Sequence, residues 1–137
     1  MKDEQSSSQA IEEAFVHAFI VPDKQGRYQQ MMSSPSKRKK ILGQLYHNLD
    51  IIAAWSMPIA NRDNHTDFIV KLLRQKGARQ RCYLISPEPE LDQHEMPLIE
   101  AIQTLIARDS TAIICCVPDR LAYYKAETHQ YLLERTH

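Results

Sequence analysis

Lys37, Arg38, Lys39 and Lys40 stand in a row just after Ser34-Pro35, a pair that reads as a helix N-cap followed by proline in the first turn. Ile41, Leu42, Leu45, Tyr46 and Leu49 then recur on one face of a helix. Cations at a helix entrance oppose the partial positive charge of its unpaired N–H groups, at a cost of roughly 0.3 kcal/mol or more each. The cluster therefore calls for an anion: a phosphate ligand, a nucleic-acid backbone with salt-sensitive affinity, or an acidic surface of the protein itself. Successive residues fan around most of a helix, so only some of Lys37, Arg38, Lys39 and Lys40 can address one ligand. Arg74, Lys76, Arg79 and Arg81 supply further bases for a nucleic-acid contact.

A second candidate is the loop from Ser86 to Glu95, placed just after a strand, where ligands often bind. Asp92, His94 and Glu95 offer oxygen and imidazole donors, but their spacing matches no standard zinc pattern. Cys115 and Cys116 project to opposite faces of an apolar strand, a setting that raises thiol pKa and makes them inert, and Cys82 reads the same way. Arg120, Tyr123, Tyr124 and Tyr131 put a base and aromatic rings on one expected hairpin, a set suited to a protein interface or to base stacking. Of the adjacent tyrosines, one is expected in the core and the other half exposed. With three glycines and none clustered, no phosphate-cradling loop is present, and no Cys-x-x-Cys, His-Glu-x-x-His or Gly-x-Ser-x-Gly occurs. Nothing calls for a metal or a cofactor.

The elements that must position these residues fit one domain. The chain has 137 residues, with 43% apolar and 25% charged positions, ordinary values for a globular protein with a single core. Seventeen basic and seventeen acidic residues cancel, so any electrostatic function depends on uneven placement. Placement is uneven: Arg62 to Arg81 holds six bases and two acids, and Glu88 to Glu100 holds five acids and no base. An odd number of cysteines argues for a reducing compartment, and no stretch resembles a secretory signal or a membrane span, so a cytoplasmic location is expected.

Met1 to Ser8 reads as a flexible polar tail and residues 9–137 as a single α+β domain. Ser6 and Gln9 form a capping box ahead of Ile11, Phe15, Ala18 and Phe19. A short helix is expected over Asp23 to Met32 and the basic helix from Pro35 to about Asn48. Leu49 to Trp55 is a strand or a helix extension, and Met57 to His65 a loop. A helix opened by Asn64 and Asp67 buries Phe68, Ile69, Leu72 and Leu73, with Gly77 at its left-handed end. Gln80 to Ser86 is a strand, Pro87 to Met96 an acidic loop, and Pro97 starts a helix. Thr111 to Val117 is a strand covered on both faces. Strand, helix and strand predict a right-handed parallel βαβ unit in a small mixed sheet, with N-terminal helices packed on it. Leu121 to Ala126 and Gln130 to Arg135 form a C-terminal β-hairpin.

Phe19-Ile20-Val21-Pro22 with Arg27-Tyr28, and Cys116-Val117-Pro118-Asp119-Arg120-Leu121-Ala122-Tyr123-Tyr124 with Leu133-Glu134-Arg135, resemble short bacterial proteins to which no function is assigned. The similarity covers both ends and the lysine-rich middle. It implies a bacterial, cytosolic, stand-alone domain and carries no catalytic residue over. The leading expectation is a non-enzymatic interaction or regulatory module, acting through the hairpin or the N-terminal helices on a protein partner or a second copy of itself, as in a homodimer joined at an uncovered strand. Alternatives are nucleic-acid or phosphate binding at the basic helix start, and a small enzyme using the loop 86–95 or a cysteine. No membrane contact is expected.

Overall fold

The uninterrupted apolar run after Thr111 becomes a strand, β4 (Ala112–Val117), with all of its residues buried, because helices cover both faces of the sheet it centres. The computed structural model describes residues 4–136, with side chains from Ser8 onward. In chain order the other elements are α1 (Glu4–Phe19), α2 (Gln25–Met32), α3 (Pro35–Leu42), β1 (Ser56–Ile59), α4 (Thr66–Gln75), β2 (Arg81–Ile85), β3 (Glu95–Pro97), α5 (Leu98–Arg108), β5 (Leu121–Lys125) and β6 (Gln130–Glu134). The strands form one sheet in the order β1-β6-β5-β4-β2-β3, with every pairing antiparallel.

Period-two alternation divides the strand residues between two cores. Tyr83, Ile85, Ile113, Cys115, Ala122, Tyr124 and Leu133 face one side, where Phe15, Val16 and Phe19 of α1, Tyr28 and Met32 of α2, and Ile41 and Leu42 of α3 pack. Cys82, Leu84, Ile114, Cys116, Tyr123 and Leu132 face the other, under Ile69, Val70 and Leu73 of α4 and Leu98, Ala101, Ile102 and Leu105 of α5. The α+β class and the N-terminal helices on the sheet agree with the sequence.

The mixed sheet with a parallel βαβ unit is corrected: β2 and β4 are antiparallel, with Tyr83 opposite Cys115 and Ile85 opposite Ile113. The cause is β3. It lies at the end of the expected acidic loop and pairs back along β2, Arg81 opposite Pro97, so the chain has already reversed before α5 begins. One extra reversal turns a parallel crossover into an antiparallel one. The hairpin β5–β6 forms with the expected strands, yet it is interior, because β1 covers β6. That strand arises from Ser56–Ile59, expected as loop; Pro58 is tolerated because β1 is an edge. Leu49 to Trp55 forms neither a strand nor a helix extension: it holds one isolated bridge, Ile20 to Ile51, and a 3-10 turn over Ala53–Trp55.

Several boundaries move. The basic helix ends at Leu42 and continues only as a 3-10 turn, Gly43–Tyr46. Of the expected tail, Met1 to Asp3 lie outside the described residues, and Glu4 to Ser8 belong to α1. In α4, Phe68 is 42% exposed and Val70 is buried instead. Gly77 sits at φ 104 as expected, with its N–H on the Arg74 carbonyl and the Ala78 N–H on that of Leu73, a Schellman ending. Asp109, at φ 51, ends α5 in the same left-handed way and accepts a 2.7 Å bond from Lys125 Nζ. Among the described residues, no helix is long and apolar enough to cross a membrane.

Candidate functional site

The basic run divides according to where α3 turns. Lys37, Lys39 and Lys40 are exposed, and among the described residues none of them forms an ion pair. Lys39 and Lys40 lie in the last turn of this short helix, where its dipole favours cations. Arg38, on the face carrying Ile41 and Leu42, points inward. Its Nε–H and one Nη2–H donate to Asp92 at 2.7 and 2.8 Å, and Nη1–H and the other Nη2–H donate to Glu12 at 2.8 Å each. The remaining Nη1–H donates to the Met32 carbonyl at 3.0 Å. All the guanidinium donors are thus used. The anion that the sequence demanded near Arg38 is supplied by the protein's own carboxylates, so Arg38 has no donor left for an external ligand.

Two further groups complete this knot. Tyr83 Oη–H donates to Glu12 at 2.6 Å, and the Ser86 N–H donates to Asp92 at 3.1 Å. Burial disfavours the charge on Arg38, but the bonds to Asp92 and Glu12 outweigh it and hold its pKa above the ordinary value. The Tyr83 hydroxyl is pushed up by burial and then by its bond to Glu12, so it stays protonated and keeps donating. The knot ties α1, α3, β2 and the following loop together through charge-assisted, bidentate contacts.

Above it lies an open groove of about 1180 Å³ between α1, α2 and α3, floored by Val16, Met32 and Arg38. Carboxamides of Gln9, Gln29, Gln30 and Gln93 line it, with Glu13. Gln93, at φ 65, is a non-glycine residue in the left-handed region.

The other sequence candidates fare differently. Asp92 is bound by Arg38, the His94 ring lies 3.1 Å from the Asp92 carbonyl, and Glu95 stands on β3; no cluster of potential metal ligands occurs among the described residues. Cys82, Cys115 and Cys116 are buried free thiols, and burial raises them all, Cys82 to about 12. Both Tyr123 and Tyr124 are buried, which corrects the expectation of a half-exposed ring, because each face of β5 is roofed by helices. They cannot form an interface patch with Arg120, which is exposed and donates to the Lys76 carbonyl at 3.3 Å. Half-buried Tyr131 stacks on Tyr124 at 5.7 Å. Arg74 is exposed on α4 in the opposite helical layer, Arg79 is exposed in the loop that follows and Arg81 at the start of β2, and Lys76 pairs with Glu134 at 3.4 Å.

Sequence reasoning missed Glu12 and Tyr83 as partners of Arg38. Glu12 stands in α1 on the stripe of Phe15, Val16 and Phe19, and an acid on an apolar helix face signals a buried cation nearby. Comparison with family models, curated proteins and solved structures found no match to this chain, so the resemblance of its two ends to short bacterial proteins gains no support.

Proposed function

We propose that the protein is a non-enzymatic binding module, and that its contact surface is the groove between α1, α2 and α3. The observation that carries this reading is the construction of the groove: an open concavity lined by both polar and apolar side chains, whose floor holds the Arg38 knot. A rigid floor suits recognition, because little ordering entropy remains to be lost on binding. The three cysteines are buried and their thiols raised by burial, which makes them poor nucleophiles. Three unpaired cysteines suit a reducing compartment such as the cytoplasm.

Photo-crosslinking in cells tests the reading. A benzophenone side chain replacing Gln30 in the groove should trap one discrete protein, and the same group replacing Gln103 on α5 should not. Equal yields from both positions, or none from Gln30, contradict it. One observation favours a second reading, phosphate-backbone binding: Lys37, Lys39 and Lys40 are exposed and have no ion-pair partner among the described residues. A low-salt gel shift abolished by their replacement with glutamine would support it, and no shift would end it.

A further inference from the structure

We infer that the groove between α1, α2 and α3 takes an extended peptide segment carrying a basic side chain; the inference rests on the binding-module reading above. Size favours a peptide over a metabolite, since about 1180 Å³ exceeds the roughly 300–1,000 Å³ of typical small-molecule pockets. The lining chemistry favours a peptide backbone. Gln9, Gln29, Gln30 and Gln93 each present N–H donors and a carbonyl acceptor side by side, the complement of a peptide group whose own N–H and C=O must be satisfied once water leaves. Gln93 is presented by a left-handed backbone that its neighbour Asp92 over-determines, pinned as it is by Arg38 and by the Ser86 N–H.

Charge selects the side chain. The lining carries two carboxylates, Glu12 and Glu13, against the single guanidinium of Arg38, which Glu12 and Asp92 already neutralise, so the groove is negative overall. Arg38 has no donor left for an anion, whereas Glu13 is exposed, receives only the Gln9 amide at 3.2 Å and pairs with no cation among the described residues. An incoming ammonium or guanidinium meets that carboxylate, and its aliphatic stem covers the partly apolar floor at Met32 and Val16.

Titration of the full ¹⁵N-labelled chain, followed by NMR, tests the inference with a short peptide of alternating lysine and alanine, its glutamate counterpart, and N-acetyl-lysine amide. The lysine peptide should move the side-chain amide signals of Gln29, Gln30 and Gln93 and bind about tenfold more tightly than the glutamate peptide. Glu13→Gln, on an exposed position, should weaken it by roughly threefold to tenfold. If the glutamate peptide binds as well, or the lone lysine amide moves the same signals at the same concentration, the basic-peptide inference is overturned and the binding module stands. If no probe moves the groove signals, the inference is overturned together with the groove itself as a contact surface.

Discussion

The two helical layers on this sheet are held by different physics. The layer of α4 and α5 packs through aliphatic side chains, and its polar ties to the sheet, such as Lys125 to Asp109, are peripheral. The layer of α1, α2 and α3 has an apolar core of its own, but Arg38, Glu12, Tyr83 and Asp92 run through it. Apolar packing is non-directional and tolerates small shifts, whereas bidentate hydrogen bonds fix distance and angle. A charged knot is an expensive way to gain stability, because desolvation offsets much of its Coulomb energy. Its return is geometric definition, and it is spent beneath the groove.

The comparison can be broken most severely at Arg38. Arg38→Met leaves the Glu12 and Asp92 carboxylates buried without their cation and should cost roughly 3–5 kcal/mol, read as a drop in the urea midpoint. The matching lesion in the apolar layer, Ile102→Ala, removes fully buried volume and should cost about 2–4 kcal/mol. Only the first should be relieved by added salt, which screens the repelling carboxylates; equal salt sensitivity would erase the distinction. Next in size, Tyr83→Phe takes one donor from Glu12 and should cost about 1.5–3 kcal/mol at neutral pH.

Alkali should weaken both layers. Burial raises the hydroxyls of Tyr83, Tyr123 and Tyr124 above their ordinary 10.0, and the thiols of Cys82 and Cys116 above 9.0. Above those ordinary values the unfolded chain releases protons that the folded chain retains. Stability is therefore full below about pH 9 and falls as pH rises, by about 1.4 kcal/mol per pH unit for each group that ionises only on unfolding. Urea midpoints that stay level from pH 8 to 11 would contradict these burials. The smallest effect belongs to the surface: replacing Lys37, Lys39 and Lys40 together by glutamine should change stability by no more than about 0.5 kcal/mol per site.

Local pattern made much of the fold legible. The apolar run of β4, the alternation of β2, the β5–β6 hairpin and the apolar faces of α1 and α5 follow from spacing alone. What escaped was short or non-local. A three-residue strand, β3, carries too little pattern to register, yet it reverses the chain and changes the relation of β2 to β4. Pro58 reads as loop unless its strand is known to be an edge. Tyr124 is buried only because a distant helical layer roofs it, and its hydroxyl donates to the Leu45 carbonyl at 2.7 Å. The basic cluster was conspicuous in the sequence, but its meaning depended on Glu12 and Asp92, 26 and 54 positions away from Arg38.

Amide hydrogen exchange on the wild type and Arg38→Met is the most direct measurement of whether the knot fixes the groove. The expected result is faster exchange concentrated in α3, α2 and the loop 86–94, with β4, β5 and α5 still protected. Unchanged exchange in α3, or an equal loss of protection in α5, would mean that Arg38 contributes only to global stability and defines no surface.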